Sequence, residues 1–217
     1  MSSRKKSGSR YGKKIDIKFF LVSYEGGDDE KKYFESIKSS ISRKYENLVI
    51  FVPVEKSNVH HSTPSHVLND LENEAKNLNY NLRNQNVYGY IAFDVDHYFT
   101  KEHQKETKAV IKEAKQKSIN LIISNPSFDI WPLLHFEQIF LLDDETKNAI
   151  KANKNQFIKK RMRKALTDNG CKISNLVTLT DNAMQNNHEL GFDLTNPHKE
   201  IGTSIDLLIH EISTYLR

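Results

Sequence analysis

The chain has 217 residues, room for one full hydrophobic core or one core with a small subdomain. Its 37% hydrophobic and 28% charged content, with a mean hydropathy of −0.64, describes a heavily solvated globular protein; no apolar run reaches the roughly 18 residues of a membrane span. A net charge of only +4, a single cysteine (Cys171) and a cationic N-terminus without an apolar stretch exclude a disulfide framework and predict a protein of the reducing cytoplasm rather than a secreted one.

Residues 1–14, rich in Ser, Gly, Lys and Arg, read as a flexible basic arm. The run Ile15–Ser23 ends in Phe19-Phe20-Leu21-Val22, the pattern of a strand covered on both faces, and Gly26-Gly27 breaks it. Tyr33, Phe34, Ile37 and Ile41 follow at helical spacing. Leu48–Val54 predicts a second strand, leading to a polar loop with His60 and His61. Thr63-Pro64 starts a helix whose stripe is Val67, Leu68, Leu71, Ala75 and Leu78. His60, His61 and His66 would suit zinc, but with no cysteine partner a plain polar loop is the simpler reading.

Val87–Phe93 predicts the third strand, Thr100–Lys117 a helix, and Ile119–Ile123 the fourth strand, running into the turn signal Asn125-Pro126. Strand and helix alternate up to here, which argues for a mostly parallel sheet with right-handed crossovers. Beyond it the pattern is helical: Phe128–Phe140, Asp144–Ala152, Gln156–Thr167, Ser174–Asn187 and Gly202–Leu216. The expected organisation is an α/β core over 15–140 and a helical C-terminal part over 141–217 packed on it.

Ligands bind at the C-terminal ends of strands in a parallel sheet. Glu25 follows the first strand. Asp94 and Asp96 end the third, where residues two apart would share a face with Cα atoms about 6.5 Å apart. Carboxylates held that close repel unless a cation separates them, and an oxygen-only set suits Mg²⁺ or Mn²⁺. Asp129, beyond the fourth strand, reads equally as a helix cap or as a further member of this site. His97 could contact a phosphate or stand idle in an exposed loop. Asn125 would help set the turn presenting Asp129, and Trp131, Leu133, Leu134, His135 and Phe136 read as core. Asp143-Asp144-Glu145 reads as a helix N-terminus. Lys159, Lys160, Arg161, Arg163 and Lys164 share a helix with the apolar Ile158, Met162, Ala165 and Leu166; they are a solvated face or a surface that contacts nucleic-acid phosphates.

A strand ending in Glu-Gly and a later Asp-x-Asp resemble the Toprim domain of topoisomerases, bacterial-type primases and OLD-family nucleases. The wider pattern is more specific: Glu25-Gly26-x-x-x-Glu30-x-x-Tyr33-Phe34, then Asp94-Val95-Asp96, then Ser124-Asn125-Pro126-x-Phe128-Asp129-x-Trp131-x-Leu133-Leu134-His135-Phe136. It resembles the RloB-like (AbiL second-component) proteins over most of residues 15–140, and Asn196-Pro197 with Thr203, Leu207 and Leu208 loosely echoes their C-terminal motif. The resemblance implies a Toprim-like nuclease of bacterial anti-phage defence, cutting RNA or DNA and acting beside an AAA-type ATPase. It implies Glu25 as general acid/base or metal ligand, Asp94 and Asp96 as metal ligands, and Glu30 and Asp129 as members of the same Mg²⁺ site. The chain departs from the family in having Asp29 where Thr is usual and Asp129 where Glu is usual. It carries no phosphate-binding P-loop, so ATP hydrolysis would belong to a partner.

Overall fold

The computed structural model describes residues 16–41, 45–58 and 63–216. The basic arm and the His60/His61 loop lie outside the described residues. The elements run β1 (Lys18–Tyr24), α1 (Asp28–Ser40), β2 (Val49–Val54), α2 (Pro64–Asn77), β3 (Val87–Asp94), α3 (Val95–Tyr98), α4 (Gln104–Gln116), β4 (Asn120–Asn125), α5 (Ile130–Leu134), α6 (Asp144–Ala152), α7 (Phe157–Asp168), α8 (Thr180–Leu190), β5 (Gly202–Thr203) and α9 (Ile205–Tyr215), with three 3₁₀ turns in the C-terminal half. The sheet order is β2-β1-β3-β4-β5, with the first four strands parallel and β5 antiparallel to β4.

The two-residue period of the strands divides their side chains between two cores. Phe20, Val22, Tyr24, Tyr90, Ala92 and Ile122 face α1, α5, α7, α8 and α9, while Leu21, Ile91, Phe93, Leu121 and Ile123 face α2, α3 and α4. A sheet covered on both faces is why β1 and β3 read as continuous apolar runs. The larger core extends from Phe20 to Ile212 and takes in Ile158, Met162, Ile205 and Leu208 from the C-terminal third.

Several element boundaries differ from the sequence reading. Phe128–Phe140 is not one helix: α5 is five residues long, and a 3₁₀ turn at Ile139–Leu141 follows. All five α5 residues are buried, so the segment has no solvent face whose periodicity could mark its end. Ser174–Asn187 splits at Leu179 into a 3₁₀ turn and α8. The last segment begins with β5, not with helix. Gly202 opens that strand at φ +147°, and a Cβ there would lie 2.6 Å from Cβ of Phe192, so both conformation and space require glycine.

Candidate functional site

Glu25 continues β1 by one residue, its N–H donating to the Ala92 carbonyl of β3 at 3.0 Å. Its Oε2 accepts from the Asp94 N–H at 3.1 Å, so the two acids are coupled through the backbone at adjacent strand ends. Asp94 Oδ1 in turn accepts from the Phe128 N–H at 2.8 Å, reaching the loop after β4. These contacts bring three strand ends and their loops to one acidic centre.

Glu30 joins from the first turn of α1, where Asp28, Asp29 and Glu30 also suit the helix dipole. Its Oε1 accepts from the Gly26 N–H at 3.1 Å, and a Cβ on Gly26 would lie 0.9 Å from Glu30 Oε2. The space a side chain would take at Gly26 is filled by the chain's own carboxylate, whereas Gly27 has open space around it.

Asp96 is also placed differently. β3 ends at Asp94 and α3 begins at Val95, so Asp94 and Asp96 are not two steps along one strand. Asp96 sits in the first turn of α3, with its N–H on the Pro126 carbonyl at 3.0 Å and its Oδ2 accepting from Asn153 Nδ2 at 2.8 Å. Its Oδ1 is buried without a hydrogen-bond partner. Asp129 stands at the α5 N-cap position but makes no capping bond; its side chain lines the same cavity as Glu30 and Asp94. Asp143, by contrast, caps α6 through Thr146.

The electrostatics follow from this crowding. Burial, with lesser repulsion from Asp96, lifts Glu25 to about 7 against the pull of the Asp94 N–H, Tyr98 and Lys56. Burial and repulsion by Glu25 lift Glu30 to about 8. Asp94 is raised well above the usual carboxylate range by burial and by Glu30 and Glu25, and burial pushes Asp129 up to about 6. Near neutral pH the cluster resists carrying its full negative charge.

An oxygen-only donor set of buried, mutually repelling carboxylates, with Asp96 Oδ1 unpartnered, has the chemistry of a hard divalent cation site. Among the described residues no three His, Cys, Asp or Glu side chains converge as ligands in the rotamers seen. Glu25, Glu30 and Asp94 each spend an oxygen on a backbone N–H instead.

The remaining candidates separate clearly. His97 is exposed at the rim, its Nδ1 4.0 Å from Glu25 Oε1 and its Nε2 3.7 Å from Asp96 Oδ1. Asn125 turns away from the cavity, its Nδ2 donating to the Glu200 carbonyl at 2.7 Å. The basic helix α7 does not act as one patch. Lys159 and Arg163 line the acidic cavity, Arg161 pairs with Glu137 at 2.6 Å, Lys164 pairs with Asp168 at 2.5 Å, and Lys160 is exposed. His135 is buried and kept neutral, burial lowering it to about 4, and its Nδ1 donates to the Trp131 carbonyl at 2.9 Å.

Three features of the site were not anticipated. Tyr98 hydrogen-bonds Glu25. Asn153, left-handed at φ +44°, joins Asp96 through its amide and the start of α7 through its Oδ1, which accepts from Ile158 N at 3.1 Å. Asp29 binds Arg163 across 134 positions. The Asp94-x-x-x-Tyr98 spacing was the one local hint, and the two α7 contacts had none.

No helix among the described residues is long and apolar enough to cross a membrane. No curated protein and no solved structure matches the chain. The family model described as RloB-like protein matches residues 20–212, from the core of β1 into α9, and so includes every acid of the cluster and both cations that line it. The chain therefore belongs to the RloB-like family.

Proposed function

We propose that this protein is a Toprim-type, Mg²⁺- or Mn²⁺-dependent endonuclease that hydrolyses phosphodiester bonds of nucleic acid, with RNA favoured over DNA, in cytoplasmic anti-phage defence of the abortive-infection kind. The observation that carries the reading is the convergence of Glu25, Glu30 and Asp94 from β1, α1 and β3 into one cluster in which each is held above its ordinary pKa. Folding such a cluster is costly unless a cation uses it. Asp94, Asp96, Glu30 and Asp129 would hold the ion. When bound, a divalent cation neutralises a phosphate and stabilises a leaving oxygen. With no ion bound, burial lifts Glu25 to about 7; standing outside the ion's ligand shell, it would be suited to hold or pass a proton near neutral pH. His97, exposed beside Glu25 and Asp96, would be within reach of a phosphate approaching those acids. RNA is preferred because the chain shows no base-reading module of the duplex-DNA kind.

The test is cleavage of plasmid and of total tRNA with Mg²⁺ or Mn²⁺. Wild type cuts, whereas Glu25→Ala and Asp96→Ala do not; variants that cut as well as wild type overturn the assignment.

One observation favours a second reading. Since no three ligands converge in the rotamers seen, the acids could be the remnant of a site in a non-catalytic subunit that binds an ATPase. Calorimetry separates the two: Mn²⁺ uptake lost in Asp94→Asn supports the nuclease, and no uptake by wild type supports the subunit.

A further inference from the structure

Asp29 occupies the position where the family usually has Thr, and the residue is buried. Its Oδ2 accepts from Arg163 Nη2 at 2.6 Å and lies 3.8 Å from Lys159 Nζ. Its Oδ1 is buried with no hydrogen-bond partner. The two cations are one helical turn apart on α7, so they present to one side, and they line the roughly 450 Å³ cavity that Glu30, Asp94 and Asp129 also line. Their side chains are 52% and 45% exposed, against 8% for Asp29, so the cations can be reached from solvent while their counter-ion cannot.

The pairing leaves capacity unused. A guanidinium offers five donors and can grip a carboxylate or phosphate with two parallel bonds; Arg163 gives Asp29 a single short one. Lys159 at 3.8 Å is beyond hydrogen-bond distance. The cations of this pair are half exposed, so their unused donors can be reached from solvent by an anion with more acceptor oxygens. The same cavity is lined by Glu30, Asp94 and Asp129, which would repel such an anion unless the two cations held it.

We infer that Lys159 and Arg163 are the phosphate-receiving side of the cleft and that Asp29 is the counter-ion that holds both side chains over the cavity, their unused donors left for a nucleic-acid backbone phosphate. This rests on the reading of the cleft as a nucleic-acid site, not on whether its acids cleave. Lys159 and Arg163 are positioning residues here, and the rest of the α7 basic cluster does not take part.

The experiment is fluorescence anisotropy of a short labelled single-stranded RNA of mixed sequence with the full-length protein in EDTA, titrated across salt concentrations. Without divalent metal, the readout is binding alone. Arg163→Ala and Lys159→Ala each weaken binding on the order of 10-fold and each reduce the slope of log K against log salt by about 1, as the loss of one phosphate contact does. Lys164→Ala, whose partner Asp168 lies on the same exposed helix face, leaves affinity and slope unchanged. Asp29→Asn tightens binding several-fold, because the charge of the cations is no longer offset. A thermal melt of each variant accompanies the binding series. Slopes for the Arg163 and Lys159 variants that match Lys164→Ala overturn the inference. So does an Asp29→Asn protein that melts like wild type yet binds no better. If Asp29→Asn unfolds, Asp29→Thr, the residue usual in the family, is the second arm with the same expected gain. Failure of the nuclease reading is visible separately: Glu25→Ala cleaving like wild type, with this binding series intact, removes the reaction and leaves the phosphate contact.

Discussion

Asp29 and Glu30 are adjacent in the first turn of α1 and equally buried, yet their surroundings differ in kind. Asp29 is met by two cations from α7. Glu30 is met by the Gly26 N–H and by another carboxylate, Glu25, and the influence of Lys56 does not offset burial. One side of the cleft is thus neutralised from within the chain, while the other keeps a charge deficit the fold does not supply. A protein that needed these acids only for its architecture would pair them all, because an unneutralised buried charge costs more than a matched one. Under the nuclease proposal, an external cation would belong on the Glu25–Glu30–Asp94 side.

The largest expected effect is on activity. Asp94→Asn keeps the acceptor for the Phe128 N–H but removes a charge from the repelling side. We expect cleavage to fall by on the order of 10²- to 10⁴-fold, the scale of losing an essential acid-base or ligand group, while the metal-free protein melts at a higher temperature than wild type. A lower melting temperature would mean that the cluster is stabilising and the comparison with Asp29 is mistaken.

Next is the pH dependence of stability without metal. Glu25 and Glu30 ionise near 4.5 when unfolded but near about 7 and 8 when folded. The unfolded chain therefore releases protons first as pH rises. Stability from these groups is full below about pH 4.5, falls as pH rises above it, and is lost once pH passes 7 to 8, by on the order of 3–5 kcal/mol per group. Denaturant melts in EDTA at pH 5 and pH 8 measure this loss, and Mg²⁺ should restore more stability at the higher pH. A flat profile would place the acids in a less buried setting than their contacts indicate.

Gly26→Ala has the smallest effect of the three. Its methyl group would displace the Glu30 carboxylate, and the unfolding free energy should fall by about 1–3 kcal/mol, as for overpacking elsewhere. Gly27→Ala, with open space, should cost far less, so paired melts of the two variants isolate the role of Glu30 placement.

The strand ends were readable because the apolar runs through Phe20–Val22 and Tyr90–Phe93 stop at Glu25 and Asp94, and a parallel sheet gathers such ends on one edge. Asp96 misled because Phe93-Asp94-Val95-Asp96 alternates like a strand, while the four-residue helix α3 that claims it is too short to show a period. β5 is shorter still, at two residues. The Asp29–Arg163 and Asp96–Asn153 contacts join residues 134 and 57 apart, and no local pattern encodes which of five basic residues on one helix will turn inward. Glu30 entered through a family resemblance; its burial against Gly26 is a matter of tertiary packing.

The end of β4 carries a last consequence. Ser204, one residue past β5, accepts from the Ile123 N–H at 2.9 Å, donates to the Leu121 carbonyl at 3.2 Å, and places its own N–H on the Ile123 carbonyl at 3.0 Å. A single serine thereby occupies three outward-facing polar groups of β4 that would otherwise template an incoming strand. On this side of the sheet an incoming strand would meet the two-residue β5 and the serine in place of an open β4 edge, which disfavours β-pairing between copies of the chain there.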